Sequence, residues 1–244
     1  MNINIKNFRK AFGENIAVDI EEYNIHHGEL VGLVGNNGAG KTTLFRLMLD
    51  LLKADNGQIV FEFSPADGDS PLPPIDPSQS EEWKSHTGAY IDDGFLIDFL
   101  TPEEYFGFIG KVCGLDKAET EQRVNVFEPL MAGEIMGQKK LIRNLSAGNK
   151  QKVGIVSALL NHPELLILDE PFNFLDPTSQ NVLKNILRDY HEQSGATIII
   201  SSHNLSHTID ICPRITLLEH GKIVNDLSNH DRSAEQELND YFNK

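Results

Sequence analysis

The spacing of apolar residues divides the chain into strands of two kinds. Apolar and polar positions alternate in residues 2–5 and 17–20, a period of two that is typical of antiparallel strands with one buried face. Three other segments are apolar or nearly so, namely residues 30–34, 165–168 and 197–200. Runs of this length favour parallel strands that are covered on both faces. The pattern predicts an α/β fold with a mainly parallel core sheet and an N-terminal antiparallel β subdomain.

Helical patterns lie between these strands. Thr101 is an N-cap residue, Pro102 follows at the first helical position and Glu104 is placed to complete a capping box, so a helix is predicted to begin here. Residues 101–160 are predicted to be mostly helical, and a further helix is predicted over 177–194.

Two other segments carry turn and hairpin signals. Residues 64–82 hold five of the eleven prolines among small polar residues, which predicts a mobile surface loop. Residues 215–224 predict a closing β-hairpin.

Length and composition narrow the class of protein. At 244 residues and 40% hydrophobic content, the chain can form one α/β domain with an inserted subdomain. The longest apolar runs are far shorter than the roughly 18 residues that span a bilayer, and the N-terminus lacks a signal-peptide core, so we expect a cytoplasmic location. The two cysteines predict neither a disulfide framework nor a thiolate metal site. A net charge of −15 argues against a nucleic-acid partner.

A phosphate-binding loop follows the apolar run at 30–34. The segment matches the pattern G-x-x-x-x-G-K-[ST], in which glycines let the backbone wrap a polyphosphate and the next helix adds its positive N-terminal end. Lys41 is predicted to reach the β- and γ-phosphates, and the Thr42 hydroxyl to bind Mg²⁺. This predicts a P-loop NTPase fold and a nucleoside triphosphate ligand. The residues expected to hold the nucleotide are Gly35, Asn36, Asn37, Gly38, Ala39, Gly40, Lys41, Thr42 and Thr43.

Two carboxylates end the apolar run at 165–168. Asp169 and Glu170 stand where an open α/β sheet places its ligands. Asp169 is predicted to hold Mg²⁺, and Glu170 to polarise the water that attacks the γ-phosphate. Taken alone, the pair is better explained as a solvated strand end. The phosphate loop upstream favours the catalytic interpretation.

The order of the motifs resembles the ATP-binding cassette (ABC) ATPases over essentially the whole chain. Residues 145–149, Leu-Ser-Ala-Gly-Asn, resemble the family signature Leu-Ser-Gly-Gly-Gln, and residues 173–176 resemble the D-loop. His203 resembles the switch histidine that contacts the γ-phosphate, although His203 and His207 also have the spacing of a helical metal pair. Phe12 stands where the family carries an aromatic residue that stacks on adenine; burial in the core is the alternative.

The resemblance implies how the protein works. It implies that ATP and Mg²⁺ are bound, and that Lys41, Glu170 and His203 act in hydrolysis. Two cassettes, either two copies or one copy with a homologous subunit, close head-to-tail so that Ser146 and Gly148 face the partner's γ-phosphate. The nucleotide-binding core is expected at 1–88 and 161–244, with a helical signature subdomain inserted at 89–160.

The resemblance also implies a membrane partner. An integral membrane permease supplied by another chain is expected to dock at residues 87–96 and the helix after them. The cassette is then expected at the inner face of the cell membrane, bound through that permease. The alternative is a soluble ABC ATPase that acts as an assembly or regulatory factor without a permease.

The chain departs from the family pattern at three positions. Ala147 and Asn149 replace glycine and glutamine in the signature, and Asp92 stands where many members carry the Q-loop glutamine. An acidic residue at that place resembles the ATPases of exporters more than those of importers, so we expect an exporter. Asp92 is further expected to act as a water-mediated Mg²⁺ ligand.

Overall fold

The computed structural model describes residues 1–63, 73–229 and 234–242, and the side chains of 239–242 are not described. The strands are β1 Asn2–Phe12, β2 Asn15–Ile25, β3 Leu30–Val34, β4 Asn56–Glu62, β5 Thr87–Tyr90, β6 Leu165–Leu168, β7 Thr197–Ser202, β8 Arg214–Glu219 and β9 Lys222–Ser228. The helices are α1 Lys41–Met48, α2 Pro102–Val112, α3 Lys117–Asn125, α4 Glu128–Met131, α5 Ala147–Leu159, α6 Pro177–Ser194, α7 Leu205–Ile211 and α8 Ala234–Phe242.

The strands form two sheets in the part of the chain that is described. A three-stranded antiparallel sheet has the order β2-β1-β4, and a six-stranded sheet has the order β5-β6-β7-β3-β8-β9. Pairing in the larger sheet is parallel from β5 to β8, and only the β8–β9 hairpin is antiparallel. The predicted fold class and hairpin are confirmed.

Side-chain alternation along the central strands forms a core on each face of the larger sheet. Leu166 and Leu168 of β6 pack into the core that contains helices α5 and α6, whereas Leu165 and Ile167 pack into the core that contains α1. Strands buried on both faces have little room for polar residues, which explains their apolar sequences.

The predicted helix signals are confirmed. Thr101 accepts a hydrogen bond from the Glu104 backbone, and the Glu104 side chain accepts one from the Thr101 backbone, which is a complete capping box. Asp176 caps α6, and the helix ends at Gly195, whose φ of +63° lies in the left-handed region. Each cap satisfies backbone groups that a helix end leaves without an intrahelical partner.

The predicted loop at 64–82 is only partly a surface loop. Residues 64–72 lie outside the described part of the chain. Ile75, however, is buried and exchanges two backbone hydrogen bonds of 2.8 Å with Phe61 of β4. The following Trp83 is also buried and packs edge-on against Phe61. The prediction was wrong for Ile75 because the surrounding prolines and polar residues hid a single apolar anchor.

Candidate nucleotide site

The phosphate loop joins β3 to α1 and contains two glycines, Gly35 and Gly40, at which a side chain would collide with neighbouring backbone. A Cβ on Gly40 would lie 2.2 Å from the Ala17 carbonyl oxygen, and its φ of +110° is strained for any other residue. A Cβ on Gly35 would lie 2.3 Å from the Leu218 carbonyl oxygen. The loop is therefore held against two neighbouring strands, which fixes the position of the helix that follows.

Lys41, the first residue of α1, points back into this loop. Its side chain is only 5% exposed, and its Nζ donates to the carbonyl oxygens of Gly35 at 2.7 Å and Asn36 at 3.3 Å. The backbone N–H of Ala39 donates to Asn36 O and closes a tight turn. Asn36, Asn37 and Gly38 form the exposed outer surface of the loop. The geometry places the ammonium group at the centre of the loop, as a phosphate-binding lysine requires.

Asp169 lies at the carboxyl end of β6 and is buried. The Thr42 hydroxyl donates to its Oδ2 at 2.5 Å, and the Ser201 hydroxyl donates to its Oδ1. Burial raises the pKa of the Asp169 carboxyl above its usual range, and these hydrogen bonds oppose that shift. Ser201 comes from β7, so adjacent strand ends of the parallel sheet assemble this cluster.

Glu170 links Lys41 of α1 to His203 after β7. Its Oε1 lies 3.3 Å from Lys41 Nζ, and its Oε2 lies 2.8 Å from Nδ1 and 3.2 Å from the backbone nitrogen of His203. Its backbone adopts a left-handed φ of +48°, held by N–H donation to Ser201 and by the Gln151 amide that donates to its carbonyl. The predicted trio of Lys41, Glu170 and His203 is thus one contiguous group.

A cavity of about 350 Å³ borders this cluster. Its lining includes Thr42, Asp169 and Glu170 of the phosphate site and Ala147 of the signature segment. Asp92 also borders the cavity, but its Oδ2 lies 3.0 Å from Arg46 Nη2 and its Oδ1 accepts from the Gly94 backbone. A metal-binding role for Asp92 stays a prediction, and the pairing with Arg46 was not predicted.

The signature segment begins helix α5. Ser146 is its exposed N-cap and accepts from the Asn149 backbone at 3.2 Å. Gly148 packs so closely on the neighbouring D-loop that a Cβ would lie 2.6 Å from the Phe174 carbonyl oxygen, and the Phe174 side chain is 74% exposed. Within one chain, Ser146 makes no described contact with the lysine, aspartate or glutamate of the phosphate site.

Burial and packing decide two alternatives that the sequence left open, namely Phe12 as a core residue and His203 with His207 as a metal pair. Phe12 is 52% exposed at the end of β1, with Lys10 Nζ 5.6 Å from its ring centroid, so the alternative of a core residue is wrong. Adenine stacking by Phe12 stays a prediction. The His207 ring packs on Phe172 at 4.8 Å, and no group of three metal-ligating side chains of the His, Cys, Asp or Glu type occurs among the described residues. The metal-pair alternative therefore has no support.

Sequence reasoning missed three members of this site. Ser201 was visible as a serine at the end of an apolar run, a signal too common to select it. Gln151 and Arg46 lie on helices, and their contacts with Glu170 and Asp92 depend on packing between elements distant in sequence. No local pattern indicates such contacts.

A phosphate loop after β3, two carboxylates after β6 and a histidine after β7, together with the signature segment at the start of α5, define a class of ATPase, the ABC cassette. A family model described as ABC transporter matches residues 19–173. The chain belongs to this family, and it has the ATP-binding ATPase cassette of ABC transporters.

Individual relatives support the same family. The chain is 32% identical over 241 residues to a probable sulfate/thiosulfate import ATP-binding protein CysA of Chlorella vulgaris, covering 99% of this chain and 94% of that protein. It is 34% identical over 201 residues to the uncharacterized ABC transporter ATP-binding protein sll0415 of Synechocystis, covering 82% of this chain but only 53% of the relative.

Solved structures agree on the fold. The dimeric cassette MJ0796 in a post-hydrolysis state bound to ADP and phosphate has a TM-score of 0.79 at 22% identity, covering 93% of this chain and 99% of that one. An ATP-binding subunit of an ABC transporter has the same TM-score at 26% identity, covering 98% of this chain and 94% of the other. Among the described residues, no helix has the length and apolarity that a bilayer crossing requires.

Proposed function

We propose that this chain hydrolyses Mg²⁺-ATP and uses the resulting cycle to drive a separate membrane permease. The observation that carries the proposal is the convergence of Lys41, Thr42, Asp169, Glu170 and His203, from three different segments, on one edge of the parallel sheet. In this proposal Lys41 binds the β- and γ-phosphates, Glu170 polarises the attacking water and His203 donates to the γ-phosphate.

The oxygen-rich cluster suits Mg²⁺. Thr42 Oγ1 and Asp169 Oδ2 lie 2.5 Å apart, and hydroxyl and carboxylate oxygens are the ligands that Mg²⁺ prefers, with water and substrate phosphates completing its shell. When bound, the ion would neutralise charge that develops on the phosphates. Thr42 and Asp169 would hold it. Asp92 is held 3.0 Å from Arg46, so its contribution would be through water.

The exposed Ser146 at the start of the signature helix supports a dimer. Ser146 and Gly148 stand at the N-terminus of a thirteen-residue helix, where backbone N–H groups and the helix dipole favour an anion. We infer that these residues bind the γ-phosphate held by a second cassette, either another copy or a homologous subunit. Phe12 would stack on the adenine in the first cassette.

A patch of exposed apolar side chains supports a permease. Phe95, Phe99, Phe108 and Val112 are 51%, 64%, 46% and 70% exposed within eighteen residues of sequence, beside Asp92. Exposed apolar side chains concentrated in this way mark interaction sites. We propose that an integral membrane protein docks here and places the cassette at the inner face of the membrane.

Co-purification from detergent-solubilised membranes tests the permease. The parent chain should retain an integral membrane protein that is lost from the double variant Phe99→Ser/Val112→Ser, while Val126→Ser, at 68% exposure outside this patch, should retain it. If the parent retains no membrane protein, the alternative of a soluble assembly or regulatory factor replaces this proposal.

The direction of transport that we propose is export, because an acidic residue at position 92 resembles exporter ATPases. The names of relatives point the other way, since they include a sulfate/thiosulfate import protein and the methionine import protein MetN 2 of Oceanobacillus iheyensis. Transport assays with the co-purified permease in vesicles of known orientation decide between the two directions.

A further inference from the structure

Arg46 connects the phosphate-loop helix to the segment that follows β5. It lies in α1 five residues after Lys41, and its Nη2 is 3.0 Å from Asp92 Oδ2. Its own backbone carbonyl accepts from Leu51 and Leu52, which anchors the end of that helix. The arginine is therefore held at its backbone by α1 and at its guanidinium group by Asp92.

Asp92 is restrained at both carboxylate oxygens. Oδ2 faces Arg46, and Oδ1 accepts from the Gly94 backbone at 2.8 Å, which caps the short 3-10 turn Asp93–Phe95. The same Asp92 lines the cavity together with Thr42 and Asp169. Its charge is thus fixed on the side of the cavity where the metal and γ-phosphate are proposed to bind.

The balance of charge around the cavity explains why the pairing of Arg46 with Asp92 would affect the binding of a triphosphate. Asp169 and Glu170 already place two carboxylates there, and Lys41 lies 3.3 Å from Glu170. Without a cationic partner, Asp92 would be a third carboxylate at the cavity and would repel a triphosphate. The guanidinium group of Arg46 offsets the charge of Asp92. Asp92 is the one hydrogen-bond acceptor of this guanidinium group among the described residues, since the buried Nε has no partner there.

We propose that Arg46 is a positioning residue that orients and neutralises Asp92 and thereby sets the preference of the site for ATP over ADP. The inference rests on the proposed nucleotide site. Its effect is electrostatic and directed at the γ-phosphate, which ADP lacks. A purely structural role of Arg46 would change the affinities for both nucleotides alike.

The test measures ATP and ADP affinity by calorimetry in EDTA, for Arg46→Met, Asp92→Asn and the double variant. Arg46→Met should weaken ATP binding by about two- to fivefold, the range that a partly exposed charge pair allows, and ADP binding less. Adding Asp92→Asn should restore the parent ATP-to-ADP ratio, because no unpaired carboxylate remains. A double variant that keeps the loss seen in Arg46→Met, or equal losses for ATP and ADP in Arg46→Met, would overturn the proposal.

Two further variants control for folding and for net charge. Asp92→Asn alone leaves Arg46 without its counter-charge, so it should tighten ATP relative to ADP; an unchanged ratio contradicts the proposal even if Arg46→Met fails to fold. Lys84→Met removes a positive charge from an exposed pair with Glu81 and should leave the ratio unchanged. A parent protein that binds no ATP at all refutes the nucleotide site itself, which is a different result.

Discussion

The phosphate-loop side and the signature side of the site differ in how complete they are within one chain. Lys41 and Asp169 are each 5% exposed and have charged or hydroxyl partners from the same chain. Ser146 is exposed, and among the described residues its side chain accepts only the local bond from Asn149 that caps α5. The first region is assembled by folding, whereas the second is presented outward, as a contact with another molecule requires.

The difference follows from the fold. Parallel strands β3, β6 and β7 are adjacent and in register, with Val34 beside Ser202 and Leu168 beside Ile200. The residues that follow β3 and β6 must therefore meet those that end β7. The signature lies instead at the start of a helix whose N-terminal N–H groups, apart from the Asn149 group that Ser146 caps, are open to water or to another molecule.

Removing the carboxylate of Glu170 should give the largest effect, because it acts on the assembled region. Glu170→Gln keeps the side-chain shape and loses the base, so ATP turnover should fall by about 10²- to 10⁴-fold while ATP binding is retained. Steady-state ATPase assays and nucleotide binding by calorimetry measure both quantities. Turnover at the parent rate would show that Glu170 is not the base.

Lys41→Ala is a second variant on the phosphate-loop side of the site, with a different expected defect. It removes the ammonium group at the centre of the phosphate loop, so it should lose triphosphate binding rather than turnover alone. Unchanged ATP affinity in this variant would contradict the role of the phosphate loop.

Gly40 and Gly38 of the phosphate loop differ in how closely their surroundings pack, so substitutions at the two positions can be compared. Gly40→Ala brings a methyl group against the Ala17 carbonyl at 2.2 Å and should destabilise the protein by about 2–5 kcal/mol, from backbone strain and overpacking together. Gly38 also has a positive φ of +82°, but a Cβ there has no neighbour within 4 Å, so Gly38→Ala should cost only about 1–2 kcal/mol. Urea unfolding compares the two, and equal losses would show that the contact with Ala17 does not matter.

The sequence was sufficient to predict the assembled region because its signals are local. The phosphate-loop pattern and the apolar run before Asp169 each need only a few neighbouring residues, as does the capping box at Thr101 outside this region. The confirmed fold class follows from the same signals, since apolar runs indicate buried parallel strands.

Other features depend on contacts between distant segments and could not be predicted. The Arg46–Asp92 pair, the Gln151 bond to Glu170 and the burial of Ile75 against Phe61 all arise from packing. A residue such as Arg46 in a helix has the same local pattern whether it faces water or a carboxylate. The subdomain boundaries at 88/89 and 160/161 and the roles of the site residues remain predictions.

Sedimentation velocity with ATP tests most directly the central claim that a second cassette completes the site, in the case where that cassette is a second copy of this chain. The Glu170→Gln protein, with ATP and Mg²⁺, should shift from monomer to dimer. The double variant Glu170→Gln/Ser146→Arg should bind ATP and remain a monomer, because the arginine side chain blocks closure at the exposed helix start. A dimer that Ser146→Arg does not affect would contradict the account, and a monomer in both cases would rule out a second copy as the partner cassette.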